Sequence, residues 1–595
     1  DAATRIAQAL SLDAAEVLRK LSQKGRFAWI KRRISNEEAS LVRELSDPKV
    51  SPKPVRGLVI EGEGHRFYPG RELAGPVLGF VAPDGHGKDG LELALDAELR
   101  GHAEEIKGLR DRSGRLIFSE GVTDEQALQG HDVSLTIDEG IQHVAERELE
   151  AANRTYETQG GALVVVDPNT GEILALASAP GYNPNDYGES EVSDRRDRAI
   201  SDTFEPGSVM KVFTVASALA AGAVKPTEAI FCEKGSFRLA NVTIHDTHSH
   251  DWLTPTQILA KSSNIGALKI GLALGESGLY AAYRRFGFGE PTGLPLPGEA
   301  QGVLRPRARP WFDVETANAS FGQGVSVTAV QLAMGFAAIA NGGRLLEPVL
   351  VRKVTDAKKN VIREGATRVR REAVPPGVAR MVAEMLTSVT EPGGTGTEAA
   401  VPGFRVAGKT GTAQKADPAT GKYAADRFNA SFVGFVPADR PRLVIAVVLP
   451  DPVVGHLAGD LAAPVFRRVA EASLRYLGVT PQGAPAKIAR ATEAAQVAAQ
   501  VAAPAAYRPA ISTDPFDGLG AAGVSGDANA NAAVPGGVRV PDVAGMPARA
   551  AVKTMAQAGF VPVIEGSGRL ARQIPAAGFQ AAKGASVRLV FEPAS

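Results

Sequence analysis

Two hydrophobic periods alternate along this chain. Near its start, Leu10, Ala14, Leu18 and Leu21 recur at helical spacing, which predicts an early helix. A second helix is expected after Asp138, a suitable N-cap, with Ile141, Ala145 and Leu149 on its inner face. At residue 162 the pattern changes. ALVVVD and EILALAS are short apolar runs joined by Asp167-Pro168-Asn169-Thr170-Gly171, turn chemistry that predicts a hairpin. Two more strands are expected over 430–436 and 442–449, split by Pro-Ala-Asp-Arg-Pro. Helical stretches such as 209–221 and 328–340 lie between. Strands from both ends with helices between them predict a mixed α/β (α+β) domain over residues 151–480.

The flanking regions differ. Residues 1–150 are mixed and highly charged, and are expected to form a separate N-terminal domain. Residues 481–537 are rich in Ala, Pro and Gly, including GLGAAGVSGDANANAAVPGG, and predict a flexible linker, transiently helical over 486–501. Residues 538–595 regain alternation and predict a small module of their own.

Charge and cysteine content narrow the function. Lys plus Arg and Asp plus Glu are both 66, so the net charge is zero and no basic excess calls for nucleic acid. The lone Cys232 excludes an intrachain disulfide and a cysteine-only metal site. No apolar run reaches the roughly 18 residues of a membrane-spanning helix. The chain opens on Asp1 rather than Met, so the native N-terminus is expected upstream.

Three strings carry candidate chemistry. Ser208-Val209-Met210-Lys211 follows Glu205-Pro206-Gly207, a turn, and precedes a helical pattern. Ser208 is expected in the first helical turn, with Lys211 on the same face. A serine hydroxyl needs a base, and a lysine becomes one when burial or a neighbouring cation favours its neutral form. Ser262-Ser263-Asn264 follows a helical stretch over 256–261. Its hydroxyl and amide could relay a proton and hold a carbonyl. Lys409-Thr410-Gly411-Thr412 lies in a predicted strand, where Lys409, Thr410 and Thr412 could bind a carboxylate and Gly411 permits close backbone approach. Each string alone is weak, since S-x-x-K and S-x-N also occur on ordinary helices.

Two other patterns compete. Gly403-Phe404-Arg405-Val406-Ala407-Gly408-Lys409-Thr410 fits the phosphate-loop consensus, but the following residues are rich in Gly, Pro and Asp and predict no helix. His245-Asp246-Thr247-His248-Ser249-His250-Asp251 suggests metal ligation, yet lacks an i, i+4 histidine pair. A polar loop is the simpler reading, and no metal or cofactor is expected.

In order, S-x-x-K, S-x-N and K-T-G are the signature of penicillin-binding proteins and serine β-lactamases. The chain resembles the class B penicillin-binding proteins over nearly all its length. Arg66-Phe67-Tyr68-Pro69, Val77-Leu78-Gly79-Phe80-Val81 and Gly90-Leu91-Glu92 resemble that family's pedestal. Phe204-Glu205-Pro206-Gly207-Ser208, Ser320-Phe321-Gly322-Gln323-Gly324 with Thr328 and Gln331, Ala340-Asn341-Gly342-Gly343 and Ala462-Ala463-Pro464-Val465-Phe466 resemble its transpeptidase domain. Val540-Pro541-Asp542-Val543-Ala544-Gly545-Met546, Ala558-Gly559-Phe560 and Gln573-Ile574-Pro575-Ala576-Ala577-Gly578 resemble a PASTA module.

The resemblance implies an antiparallel sheet flanked by helices, with 409–414 on an edge strand beside the nucleophile helix. It implies a serine D,D-transpeptidase crosslinking peptidoglycan stem peptides, inhibited by β-lactams and of the division-specific type. Ser208 is the implied nucleophile, Lys211 the base and Ser262 the relay. Asn264 orients the peptide, and Lys409, Thr410 and Thr412 hold its carboxylate. Backbone N–H groups of Ser208 and Thr412 would form the oxyanion hole, and Lys409 would help keep Lys211 neutral. The family's membrane anchor and its R-G-x-I-x-D-R segment are absent from this chain. A single-pass anchor in the inner membrane is therefore expected in the native protein, with this chain on the outer side. A membrane glycan polymerase of the SEDS type and other division proteins are the implied partners. An elongation-specific transpeptidase, a β-lactamase and a β-lactam sensor remain as alternatives. No E-x-x-L-N string of the class A β-lactamase type occurs.

Overall fold

The computed structural model describes residues 2–25, 27–32, 34–60, 66–101, 107–110, 116–120, 129–304, 310–416, 423–481, 538–544, 546, 548–566, 569–574, 577–581 and 585–592. Two compact units divide the chain, 1–503 and 504–595. The predicted linker lies, apart from Pro481, outside the described residues.

The single early helix expected from periodicity is two helices, α1 (Ala2–Leu10) and α2 (Ala14–Leu21). Ser11 turns the chain at φ 52°, and the Asp13 carboxylate caps α2 by accepting from the Glu16 N–H. The break redirects the apolar stripe. Val17 becomes the buried position of α2, while Leu18 and Leu21 are 57% and 44% exposed. Further along, the three pedestal strings form one network. The Arg66 guanidinium donates to both Glu92 oxygens at 2.6 and 3.1 Å. The Tyr68 hydroxyl donates to Glu92 at 3.3 Å and accepts from the Val81 N–H at 3.1 Å. A Cβ on Gly79 would lie 1.8 Å from the Asp89 carbonyl oxygen, so only glycine allows that approach. Asn185, in the 3₁₀ turn Pro184–Glu189, holds this region, accepting from the Tyr68 N–H and donating to its carbonyl.

The main sheet has five strands: β1 (Gly161–Val166), β2 (Ile173–Ala179), β3 (Ala407–Ala416), β4 (Tyr423–Val436) and β5 (Leu443–Pro450). All pairs are antiparallel, in the order β3-β4-β5-β1-β2. Its helices include α3 (Glu139–Tyr156), α4 (Lys211–Ala220), α5 (Pro255–Lys261), α6 (Asn264–Leu274), α7 (Ala329–Ala340) and α8 (Ala458–Tyr476). Alternation along β1 decides which helices cover which face. Leu163 and Val165 pack with α3 and α8, whereas Val164 and Val166 pack with α4 and α7. Burial on both faces explains why ALVVVD reads as a continuous apolar run. Asp138 caps α3 as expected, and that helix runs across residue 150 onto the sheet.

The described residues of the second unit form a three-stranded sheet, a short antiparallel pair of Val538–Arg539 with Gln580–Ala581, and a helix, α9 (Ala548–Gln557). Strand β8 (Ser586–Glu592) pairs parallel to β6 (Val561–Gly566) and antiparallel to β7 (Arg569–Ile574). Gln573 joins two of the strings that suggested the module. Its amide accepts from the Val543 N–H at 3.0 Å and donates to the Pro541 carbonyl at 2.8 Å. Among the described residues, no helix is long and apolar enough to cross a membrane.

Phe213 anchors α4. Its ring is fully buried, with centroids of Phe286, Phe288 and Phe336 at 4.8, 4.8 and 5.6 Å. Phe213→Ala should lower stability by about 3–5 kcal/mol, seen as an earlier urea-unfolding midpoint.

Candidate active site

The first string does not open an α-helix directly. Ser208 sits in a 3₁₀ turn, Gly207–Met210, and α4 begins at Lys211. Gly207 opens this turn at φ 54°, a left-handed conformation that suits glycine. The Ser320–Gly324 stretch clasps this turn. The Gly207 N–H donates to the Gly322 carbonyl at 3.2 Å, and a Cβ on Gly322 would meet the Gly207 oxygen at 2.2 Å. Phe204 and Val327 exchange backbone hydrogen bonds, and the Gly324 N–H donates to Glu205 at 2.8 Å.

Lys211 and Lys409 are both 0% exposed and converge on Ser262. The Lys211 amine donates to the Ser262 carbonyl at 2.5 Å, the Asn264 Oδ1 at 2.8 Å and the Ser262 Oγ at 3.3 Å. The Lys409 amine donates to the same Ser262 Oγ at 3.0 Å, and to Thr410 O and Oγ1 at 3.1 and 3.3 Å. A hydroxyl with two lone pairs accepts from both amines and keeps its own proton to donate. Burial lowers the Lys211 pKa to about 7, against the opposing pull of Asp246. Burial, and then the charge of Lys211, holds Lys409 well below its ordinary value. Burial is thus the cause that lowers the Lys211 pKa, and the repulsion between the two amines falls on Lys409.

Ser262 joins two helices. It ends α5 in the left-handed region at φ 58°, and Ser263 caps α6 by accepting from the Gly266 N–H. Such a conformation costs a non-glycine residue about 1–3 kcal/mol and is found where the surroundings enforce it. Here the enforcing group is Asp246, which sequence reasoning placed in an indifferent polar loop. Its carboxylate accepts from Ser263 Oγ at 2.6 Å, the Asn264 N–H at 2.5 Å and the Ile265 N–H at 3.0 Å. The Asn264 Nδ2 donates to the His245 carbonyl at 2.9 Å. The only sequence signal for Asp246 was an acidic residue upstream of a helix it could cap through space.

The third string lies on edge strand β3, with Lys409 paired to Val433 and Thr412 to Ala430. The phosphate-loop reading fails here because Lys409 lies in a strand and opens no helix. Gly411 brings the strand against the Ser208 turn. A Cβ there would stand 2.7 Å from the Pro206 carbonyl oxygen and from Val209 Cγ2. Thr410 Oγ1 is 2.8 Å from Thr395 Oγ1, and Thr412 Oγ1 accepts from the Ala458 N–H at 3.1 Å. Ser208, Lys211, Ser262, Asn264, Lys409, Thr410, Gly411 and Thr412 therefore belong to one neighbourhood, whereas Cys232 is buried packing beside Ser263.

Among the described residues no group of three or more histidine, cysteine or acidic side chains could hold a metal, including His245 to Asp251. A separate cleft of about 330 Å³ is lined by Arg196, Arg198, Asp202, Phe204, Lys415 and Asn429 among others. Its charged groups are paired, Arg196 and Arg198 with Asp202 and Lys415 with Asp451. None of the three strings' residues named above lines it.

A serine ahead of a buried lysine, a second serine shared by two amines, and a lysine on an edge strand form the ordered motif set of penicillin-interacting serine enzymes. Comparisons with known proteins agree. Residues 161–471 match the penicillin binding protein transpeptidase domain, 1–135 the penicillin-binding protein dimerisation domain and 538–593 the PASTA domain. The probable peptidoglycan D,D-transpeptidase PenA of Neisseria meningitidis is 37% identical over 78% of this chain and 77% of its own length. The peptidoglycan D,D-transpeptidase FtsI of Escherichia coli is 36% identical over 79% of this chain and 76% of its own. Penicillin binding protein 3 of Mycobacterium tuberculosis, solved in complex with aztreonam, superimposes with a TM-score of 0.62 at 33% identity. That match covers 70% of this chain and 91% of the solved one. The chain belongs to the penicillin-binding protein transpeptidase family.

Gly411→Ala tests the close approach. The variant should stay folded by its melting curve yet react with a fluorescent penicillin on the order of 100-fold more slowly, because a small misplacement of reacting groups has that cost.

Proposed function

We propose that this chain is a serine D,D-transpeptidase that crosslinks peptidoglycan stem peptides through an acyl-enzyme on Ser208. The observation that carries the reading is the convergence of Lys211 and Lys409 on the Ser262 hydroxyl, beside the Ser208 turn and an edge strand. The relatives named as peptidoglycan D,D-transpeptidases support the substrate.

Neutral Lys211 takes the Ser208 proton as Oγ attacks the carbonyl between the last two D-alanines. The Ser208 N–H, at the start of its turn, and the Thr412 N–H, on the edge strand, stabilise the oxyanion, each worth about 3–4 kcal/mol. The C–N bond breaks, and D-alanine leaves with a proton passed through Ser262. An amine from a second stem peptide then attacks the ester, its proton returning through Lys211 to Ser208 as the crosslink forms. Asn264, anchored to Lys211 and the His245 carbonyl, presents its remaining amide N–H to the peptide. Thr410 and Thr412 line the edge strand where the terminal carboxylate lies. Lys409, whose donors point to Ser262 and Thr410, acts on that carboxylate through its charge. A β-lactam enters the same path and stalls as a Ser208 ester.

We read the chain as a pedestal over 1–150, a catalytic domain over 151–480, a linker over 481–537 and a PASTA module over 538–595. Similarity to FtsI favours a role in septal wall synthesis over elongation. The peptidoglycan substrate favours the outer side of the inner membrane for this chain, and the class B resemblance favours a single-pass anchor. The class B resemblance adds a SEDS-type glycan polymerase that supplies the strands.

The test is D-alanine release from a pentapeptide-bearing glycan. The parent chain should release it at a rate that rises through pH about 7, as Lys211 loses its proton, and Ser208→Ala should release none. Ser208-dependent penicillin labelling without D-alanine release would instead indicate a sensor.

A further inference from the structure

We propose that Asp246 is a positioning residue of the acylation step: it pins the start of α6 so that Ser262 and Asn264 face Lys211, and its negative charge restrains the Lys211 ammonium from losing its proton. This inference rests on the Ser208 acyl-enzyme reading and adds the source of its geometry and pH dependence.

The geometry is direct. Asn264 stands between the two groups. Its side-chain oxygen accepts from Lys211 at 2.8 Å, while its backbone N–H donates to Asp246 at 2.5 Å. The same carboxylate holds Ser263 Oγ and the Ile265 N–H. These bonds fix the chain on the C-terminal side of Ser262, where α5 ends in a left-handed turn. Releasing them frees Ser262 to leave a conformation that non-glycine residues disfavour. Asp246 is held in its turn, its own N–H donating to the Gly235 carbonyl at 3.1 Å.

The electrostatic half follows from the charges around Lys211. From β3 it faces the Lys409 amine across Ser262, and from the α5–α6 junction the neutral Ser262 and Asn264. Ahead of it lies neutral Ser208. At the N-terminal end of α6 lies Asp246, the group whose charge raises the Lys211 pKa against burial. Removing that charge must lower the pH at which Lys211 becomes a base. The protein thus balances the two, keeping the amine close to neutrality.

The experiment follows acylation of Ser208 by a fluorescent penicillin across the neutral pH range. It compares the parent chain, Asp246→Asn and Asp246→Glu, with Ser208→Ala as control and melting curves for each. Asp246→Asn should shift the acid limb of the rate profile to lower pH by about one unit, the scale on which one nearby charge acts. Its plateau rate should also fall by about tenfold or more as the corner loosens. Asp246→Glu retains the charge and should lower the plateau while leaving the limb in place. An Asp246→Asn profile that is scaled down but unmoved, with labelling still dependent on Ser208, overturns the electrostatic role and leaves only a structural one. If Asp246→Asn does not fold, Asp246→Glu decides, and a displaced limb there contradicts the proposal. Labelling that survives in Ser208→Ala would instead defeat the acyl-enzyme reading beneath it.

Discussion

Two lysine amines without solvent exposure share one serine hydroxyl, and much of the site follows from that arrangement. Two like charges brought to one hydroxyl repel, in addition to the penalty of burial. Both amines cannot hold their protons cheaply. The strain is useful, because a lysine near neutrality at pH about 7 can take a proton from one oxygen and return it to another. To create it, the fold brings together a 3₁₀ turn, a junction of two helices and an edge strand.

The elements that bring these parts together are mostly backbone devices. Gly411 lets β3 reach the Ser208 turn, and Gly322 lets the Ser320–Gly324 stretch reach it from another side. The Asp246 carboxylate does the same for the helix junction with three hydrogen bonds. In the pedestal, Arg66, Tyr68 and Glu92 form a comparable clasp away from the chemistry. In the C-terminal module Gln573 plays that part. Short strings with no chemistry of their own are thus often ties between segments distant in sequence.

This explains what could be read in the sequence. The β1–β2 hairpin, the helix capped by Asp138 and the late strands were legible because period, turn residues and caps are local signals. The three strings of the site could be picked out because each fixes a local geometry and their order is distinctive. The early helical stripe misled because Leu10 to Leu21 keeps its spacing across a break, and spacing alone does not reveal that Ser11 turns left-handed. Ser208 was expected in the first helical turn and lies there, but the sequence did not show that this turn is 3₁₀ before α4 begins. Asp246 was missed because its partners lie some twenty residues downstream. The donors of Lys409 point at Ser262 rather than outward, and only the tertiary fold decides that direction.

The most direct test of the account is to treat the folded chain with a penicillin, digest it and locate the adduct by mass spectrometry. The account predicts a single acyl group on the peptide containing residue 208, attached to Ser208 and stable over the time of analysis. Acylation confined to another serine, or a folded chain that takes up no acyl group, would contradict it.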